Sequence, residues 1–108
     1  MKIADSLRAI NLYPINPLTV ANIAEECGLT ACDEITASVR ASISYKRAKA
    51  KVYQYLAEAP NVSEAGANYS FTDAEREAFR RNAQRLLDEI GEEEEDLIGD
   101  VGWIGEDL

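Results

Sequence analysis

Between Ile35 and Leu56 the chain carries apolar residues on two helical faces at once. Ile35, Val39, Ile43, Ala50 and Tyr53 form one set, and Ala41, Tyr45, Ala48, Val52 and Leu56 form another. Steps of three, four and seven residues return a side chain to the same side of an α-helix. A helix apolar on two sides must be covered twice, either within its own domain or by that domain and a neighbour. The pattern predicts a mainly α fold, a compact bundle of about four helices with this segment near its centre. At 108 residues the chain has room for one modest core.

The remaining elements are set by caps and breakers. Ile3, Leu7 and Ile10 predict a first helix from Lys2 to about Ile10, stopped before Pro14. Asn16 followed by Pro17 is a helix start, since the missing proline N–H is not needed in the first turn. Val20, Ile23, Ala24 and Cys27 make the inner stripe of that second helix, and Gly28 suits a left-handed C-cap. Thr30-Ala31-Cys32-Asp33 resembles a loose capping box and predicts a third helix running to about Glu58, roughly 40 Å long. From Asn61 to Phe71 the helical pattern is lost. A short β-hairpin or ordered loop is expected there, turning at Glu64-Ala65-Gly66. Thr72-Asp73-Ala74-Glu75 is a stronger capping box, opening a last helix to Ile90 with Gly91 as its stop. The core residues predicted from these registers are Ile35, Val39, Ile43, Leu56, Phe79, Leu86 and Leu87.

Charge divides the chain in two. All 11 Lys and Arg lie in residues 1–87 with 10 acidic residues, whereas residues 88–108 hold 10 acidic residues and no base. The net charge of −9 is therefore a +1 body and a −10 tail. The organisation expected is a helical domain over 1–91 and an acidic, Gly/apolar C-terminal tail over 92–108. Repulsion along Glu92–Asp96 favours an extended segment, and Gly99, Gly102 and Gly105 disfavour helix beyond it. Leu97, Ile98, Val101, Trp103 and Ile104 are the candidate partner-binding residues, because an apolar peptide carrying the sole tryptophan is suited to docking on another surface.

The sequence supplies little for catalysis. There is no histidine, which removes the usual general base near neutral pH and most zinc sites. Cys27 and Cys32 are read as buried reduced thiols, and adjacent Glu25 and Glu26 diverge around a helix. No phosphate-binding glycine loop and no calcium-loop spacing occur. No enzyme activity, catalytic residue, metal site or cofactor is expected. The start Met1-Lys2-Ile3-Ala4-Asp5 lacks a leader pattern, and no apolar run approaches the roughly 18 residues of a membrane span.

Thr19 to Thr30 resembles the first helix and turn of a helix-turn-helix unit. The second half departs from it, with Glu34 and Ala37 where apolar residues belong, and Asp33 and Glu34 would repel phosphate. Lys46, Arg47, Lys49 and Lys51 spread around their helix, while Arg76, Arg80, Arg81 and Arg85 are more one-sided. Both groups read as solvated faces rather than phosphate tracks. A small DNA-associated regulator using residues 19–39 remains the alternative function.

Two segments together carry a family resemblance. Val52-Tyr53-Gln54-Tyr55-Leu56-Ala57-Glu58-Ala59-Pro60-Asn61-Val62-Ser63-Glu64-Ala65-Gly66, then Tyr69-Ser70-Phe71-Thr72-Asp73 and the helix to Gly91, resemble small virion structural proteins of Bacteroides-type phages and prophages. The resemblance spans about residues 1–96 and rests mainly on 52–91. It implies a non-enzymatic structural or assembly protein of head-to-tail connector type. The partners it implies are proteins, in a homo-oligomeric ring or among neighbouring virion components, with neither nucleic acid nor membrane. The implied location is the bacterial cytoplasm or the virion.

Overall fold

Four of the five helices begin at a side chain that closes a free backbone N–H. In the computed structural model, which describes residues 1–64 and 66–98, the elements are α1 (Ile3–Arg8), α2 (Pro17–Glu26), α3 (Ala37–Ala41), α4 (Ile43–Glu58), β1 (Val62–Glu64), β2 (Ala67–Tyr69) and α5 (Asp73–Ile98). Asn16 Oδ1 accepts from the Leu18 N–H at the start of α2, with Pro17 in the first turn. Thr36 caps α3 and Ser42 caps α4. At α5 the capping box is reciprocal. Thr72 Oγ1 accepts from the Glu75 N–H at 3.1 Å, and Glu75 Oε1 accepts from the Thr72 N–H at 2.8 Å. Helix α2 ends as its glycine predicts. Gly28 has φ +86°, and the Gly28 and Leu29 N–H groups donate to the Glu25 and Ala24 carbonyls. The fold is mainly α, with a two-stranded antiparallel hairpin between the last two helices.

Helix α1 is the exception, and it explains where the sequence pattern misleads. Its N-cap, Lys2, makes no side-chain cap. The Ile3 and Ala4 N–H groups instead donate to the Asp33 and Ala31 carbonyls, at 2.8 and 3.1 Å, and the Ile35 N–H donates to the Met1 carbonyl at 2.9 Å. Residues 31–35 supply those groups only if they are not themselves helical. The predicted helix from Thr30 to Glu58 is thus corrected to a loop, the five-residue α3 and the sixteen-residue α4. Ser42 is the joint between the two helices. It is extended (φ −75°, ψ 154°), its hydroxyl donates to the Val39 carbonyl, and it accepts from the Tyr45 N–H.

Both apolar faces of α4 are covered within the domain. Tyr45, Ala48, Val52 and Leu56 pack in one cluster with Ile3 and Leu7 of α1 and Val20 and Ala24 of α2. Ala50 meets Ala83 and Leu86 of α5, with Tyr53 and Leu87 against them. Leu7, Val20, Val52 and Leu56 are wholly buried, each worth about 1.5–3 kcal/mol of transfer free energy. Of the predicted core, Leu56 and Leu86 are buried, while Ile35, Val39, Ile43, Phe79 and Leu87 are half-buried. The first three lose cover because the helix breaks at residues 36 and 42. The core residues the periodicity undervalues are Tyr13 and Ile15, in the connector before α2.

The hairpin pairs Val62 with Tyr69, Ser63 with Asn68 and Glu64 with Ala67, and Gly66 (φ +83°) takes the left-handed position in its turn. Its outgoing strand leads into an aromatic cluster. Phe71 stacks on Tyr13 at 5.5 Å and meets Phe79 edge-on at 4.9 Å, and Phe79 stacks with Tyr53 at 6.2 Å. The Tyr13 hydroxyl donates to the Pro60 carbonyl at 2.6 Å.

Helix α5 does not stop at Gly91; it runs to Ile98. An interior glycine costs about 1 kcal/mol, and glutamate is a good helix former, so an established helix continues through both. The expectation of an extended Glu92–Asp96 is corrected accordingly. Helices α4 and α5 are antiparallel: Tyr53 sits beside Phe79 and Lys46 Nζ lies 3.9 Å from Glu89 Oε1. Lys46 is three residues from the start of α4, whereas α5 continues nine residues beyond Glu89. Helix α5 therefore outruns the helix it packs on.

Candidate functional site

The residues singled out for partner binding are divided by the structure. Leu97 and Ile98 fall in the last turn of α5, on helix rather than on the extended tail expected. Val101, Trp103 and Ile104 lie outside the described residues.

Arg80, Arg81 and Arg85 lie on the solvated face expected of them, and Arg76 does different work. Arg76 is a clamp. Its Nη1 donates to the Ala57 carbonyl at 3.1 Å and the Ala59 carbonyl at 2.7 Å, and its Nη2 donates to Asn61 Oδ1 at 2.9 Å. The guanidinium also lies 5.6 Å from the Phe71 ring centroid. It thereby satisfies carbonyls where α4 ends and pins the hairpin to α5. Sequence spacing missed this role, because its partners stand 15 to 19 residues upstream. Arg80 pairs with Glu58 at 3.2 Å and Glu77 at 3.4 Å. Arg81 and Arg85 are exposed.

The segment resembling a helix-turn-helix resolves into α2, a loop over residues 27–36 and the short α3. Asp33 and Glu34 are held in that loop by the N-terminal segment. Glu34 Oε2 lies 2.8 Å from the Met1 amino group, and Glu34 Oε1 lies 3.5 Å from Lys2 Nζ. The hydrogen bond and charge of that amino group hold the Glu34 carboxyl below the usual carboxylate range.

Of the two cysteines, Cys27 is buried as expected and Cys32 is exposed, a correction that follows from residues 31–33 being loop. Burial pushes the Cys27 thiol above its ordinary pKa. Burial likewise raises the Tyr13 phenol. Among the described residues, no three His, Cys, Asp or Glu side chains gather in a way that would hold a metal ion. No described helix is long and apolar enough to cross a membrane.

Concave surfaces among the described residues include a groove of about 540 Å³ along Asp5, Arg8, Leu12 and Pro14, and two that lie between helices. One, of about 460 Å³, lies between α2 and α4 and is lined by Ile23, Tyr55, Ala59 and Pro60; Lys51 and Glu26 on its rim neutralise each other at 3.7 Å. The other, of about 360 Å³, is a cleft among α1, α3 and α4, lined by Met1, Ser6, Ala9, Ile10, Arg40, Tyr45 and Lys49. Its lining contains cations and no carboxylate. At its floor Ser6 Oγ donates to the Ile3 carbonyl at 2.8 Å and lies 2.7 Å from Tyr45 Oη. A serine has one hydroxyl proton, so the Tyr45 hydroxyl is the donor in the second bond and its oxygen keeps acceptor capacity.

In addition, two large apolar side chains stand in water, Leu12 on the connector before α2 at 90% exposure and Leu18 in the first turn of α2 at 74%. Compared with known proteins, the chain matches no family model, no curated protein and no solved structure.

Proposed function

We propose that this protein is a non-enzymatic structural or assembly subunit of a phage or prophage virion, of head-to-tail connector type, acting through protein–protein contacts. The observation that carries the reading is the unit formed by the end of α4, the hairpin and the start of α5. It coincides with the segments 52–66 and 69–73 that resemble such virion proteins. Arg76 ties these pieces into one rigid support, from which α5 projects past α4. A long helix held at its base and continuing past the start of its neighbour is suited to reaching another subunit. The exposed Leu12 and Leu18 offer apolar area at a second place on the surface.

The DNA-associated alternative gains nothing from α3, whose five residues make less than two helical turns for a major groove. The deciding experiment is mass spectrometry of purified particles released from an induced source strain. The chain is expected there in near-stoichiometric ratio to other virion proteins. Its absence from the particles, together with salt-dependent binding of the purified protein to duplex DNA, would overturn the assembly reading.

A further inference from the structure

We propose that the cleft among α1, α3 and α4 binds a small phosphate- or carboxylate-bearing molecule, held by Arg40 and Lys49 and oriented by the Tyr45 hydroxyl oxygen. The charge is the first argument. Arg40 and Lys49 enter no ion pair among the described residues. The fold sets both on one concave surface, and no carboxylate lines it.

The chemistry of the floor narrows the ligand. With its own proton given to Ser6, Tyr45 Oη can only accept from what enters the cleft. A ligand that fills all three positions carries anionic oxygens for Arg40 and Lys49 and a hydroxyl hydrogen for Tyr45. Hydrogen phosphate, a phosphate monoester of a polyol and a hydroxycarboxylate share that pattern. Arginine suits it through its planar donor fork, and lysine adds a point charge. The volume of about 360 Å³ admits a molecule of this size. Ile10 and Ala9 line the remaining wall and give it an apolar side.

The inference goes beyond the assembly role and stands on separate residues from it. The test is an amide chemical-shift titration of the full ¹⁵N-labelled chain. Inorganic phosphate is used in one arm and citrate in the other, with ionic strength held constant by sodium chloride. Saturable shifts are expected at Ser6, Ala9, Ile10, Arg40, Tyr45 and Lys49 in at least one arm, and the arm that saturates at lower concentration identifies the chemistry preferred. The double variant R40Q/K49Q should bind at least about tenfold more weakly while keeping the parent circular dichroism spectrum. Shifts that stay linear, spread over the surface or persist in the double variant would overturn the site. So would shifts at these same amides that depend on protein concentration alone and vanish when Glu92 to Glu95 are replaced by glutamine. That result would make the occupant a second copy of the chain.

Discussion

Replacing Arg76 by methionine keeps the aliphatic stem and removes three hydrogen bonds and a ring contact. Two of those bonds end on carbonyls of Ala57 and Ala59, residues 2% and 3% exposed, so water cannot readily take the place of the guanidinium. The bond to Asn61 is exposed and contributes little. A hydrogen bond to a charged group is worth about 1.5–3 kcal/mol, and an exposed cation–π contact about 0.5–1 kcal/mol. The contacts share one side chain and are not additive. A loss of about 2–4 kcal/mol is expected, lowering Tm by roughly 10–20 °C in a domain of this size. Urea unfolding followed by helical circular dichroism measures it, with Arg81→Met as the control at an exposed arginine on the same helix. Arg76→Lys should recover only part of the loss, because an ammonium cannot span the carbonyls and Asn61 in one plane. If Arg76→Met unfolded within about 0.5 kcal/mol of the Arg81→Met control, the clamp would be an incidental contact and the account of the hairpin's attachment would fail.

Leu86→Ala should cost about 2–5 kcal/mol and Leu87→Ala distinctly less, since only the first is buried; equal losses in chemical denaturation would mean the α5 register is misplaced. A thiol reagent at neutral pH should label Cys32 at once and Cys27 only on unfolding. Two equally fast thiols would contradict the packing of α2. The lowered folded-state pKa of Glu34 gives a stabilisation present above the ordinary carboxylate pKa and lost as pH falls through the folded value. Glu34→Gln should therefore flatten the acid limb of Tm against pH, and an unchanged limb would show the pair to be without thermodynamic weight. Trp103, the sole tryptophan, should shift its emission to the blue when the protein is mixed with its assembly partner. A spectrum unchanged on complex formation would remove Trp103 from the contact.

What could be read from the sequence was whatever a residue settles with neighbours a few positions away. The Asn16-Pro17 start, the Gly28 stop, the turn at Gly66 and the reciprocal Thr72–Glu75 cap are all of this kind, and each stands where the pattern places it. The failures share a different cause. Thr30–Asp33 looks like a helix start only until the uncapped N–H groups of Ile3 and Ala4 are counted, and those lie nearly thirty residues away. Once residues 31–33 serve α1, the helix must begin afresh: Thr36 caps α3, and Ser42 both ends α3 and caps α4. The break at Ser42 moves Ile35, Val39 and Ile43 off the continuous stripe that made them core candidates. Arg76 was misjudged for the same reason, because the carbonyls it serves belong to the end of another helix. The cleft is harder still, being assembled from residues 1, 6, 9, 10, 40, 45 and 49 with no common spacing. Its charge became visible only after the acids were placed: Glu34 had gone to the N-terminus, Glu26 to Lys51 and Glu58 to Arg80. An unpaired cation marks nothing by itself, since Arg8, Arg81 and Arg85 also stand outside the ion pairs among the described residues; what marks Arg40 and Lys49 is that the fold sets both in one cleft that no carboxylate lines.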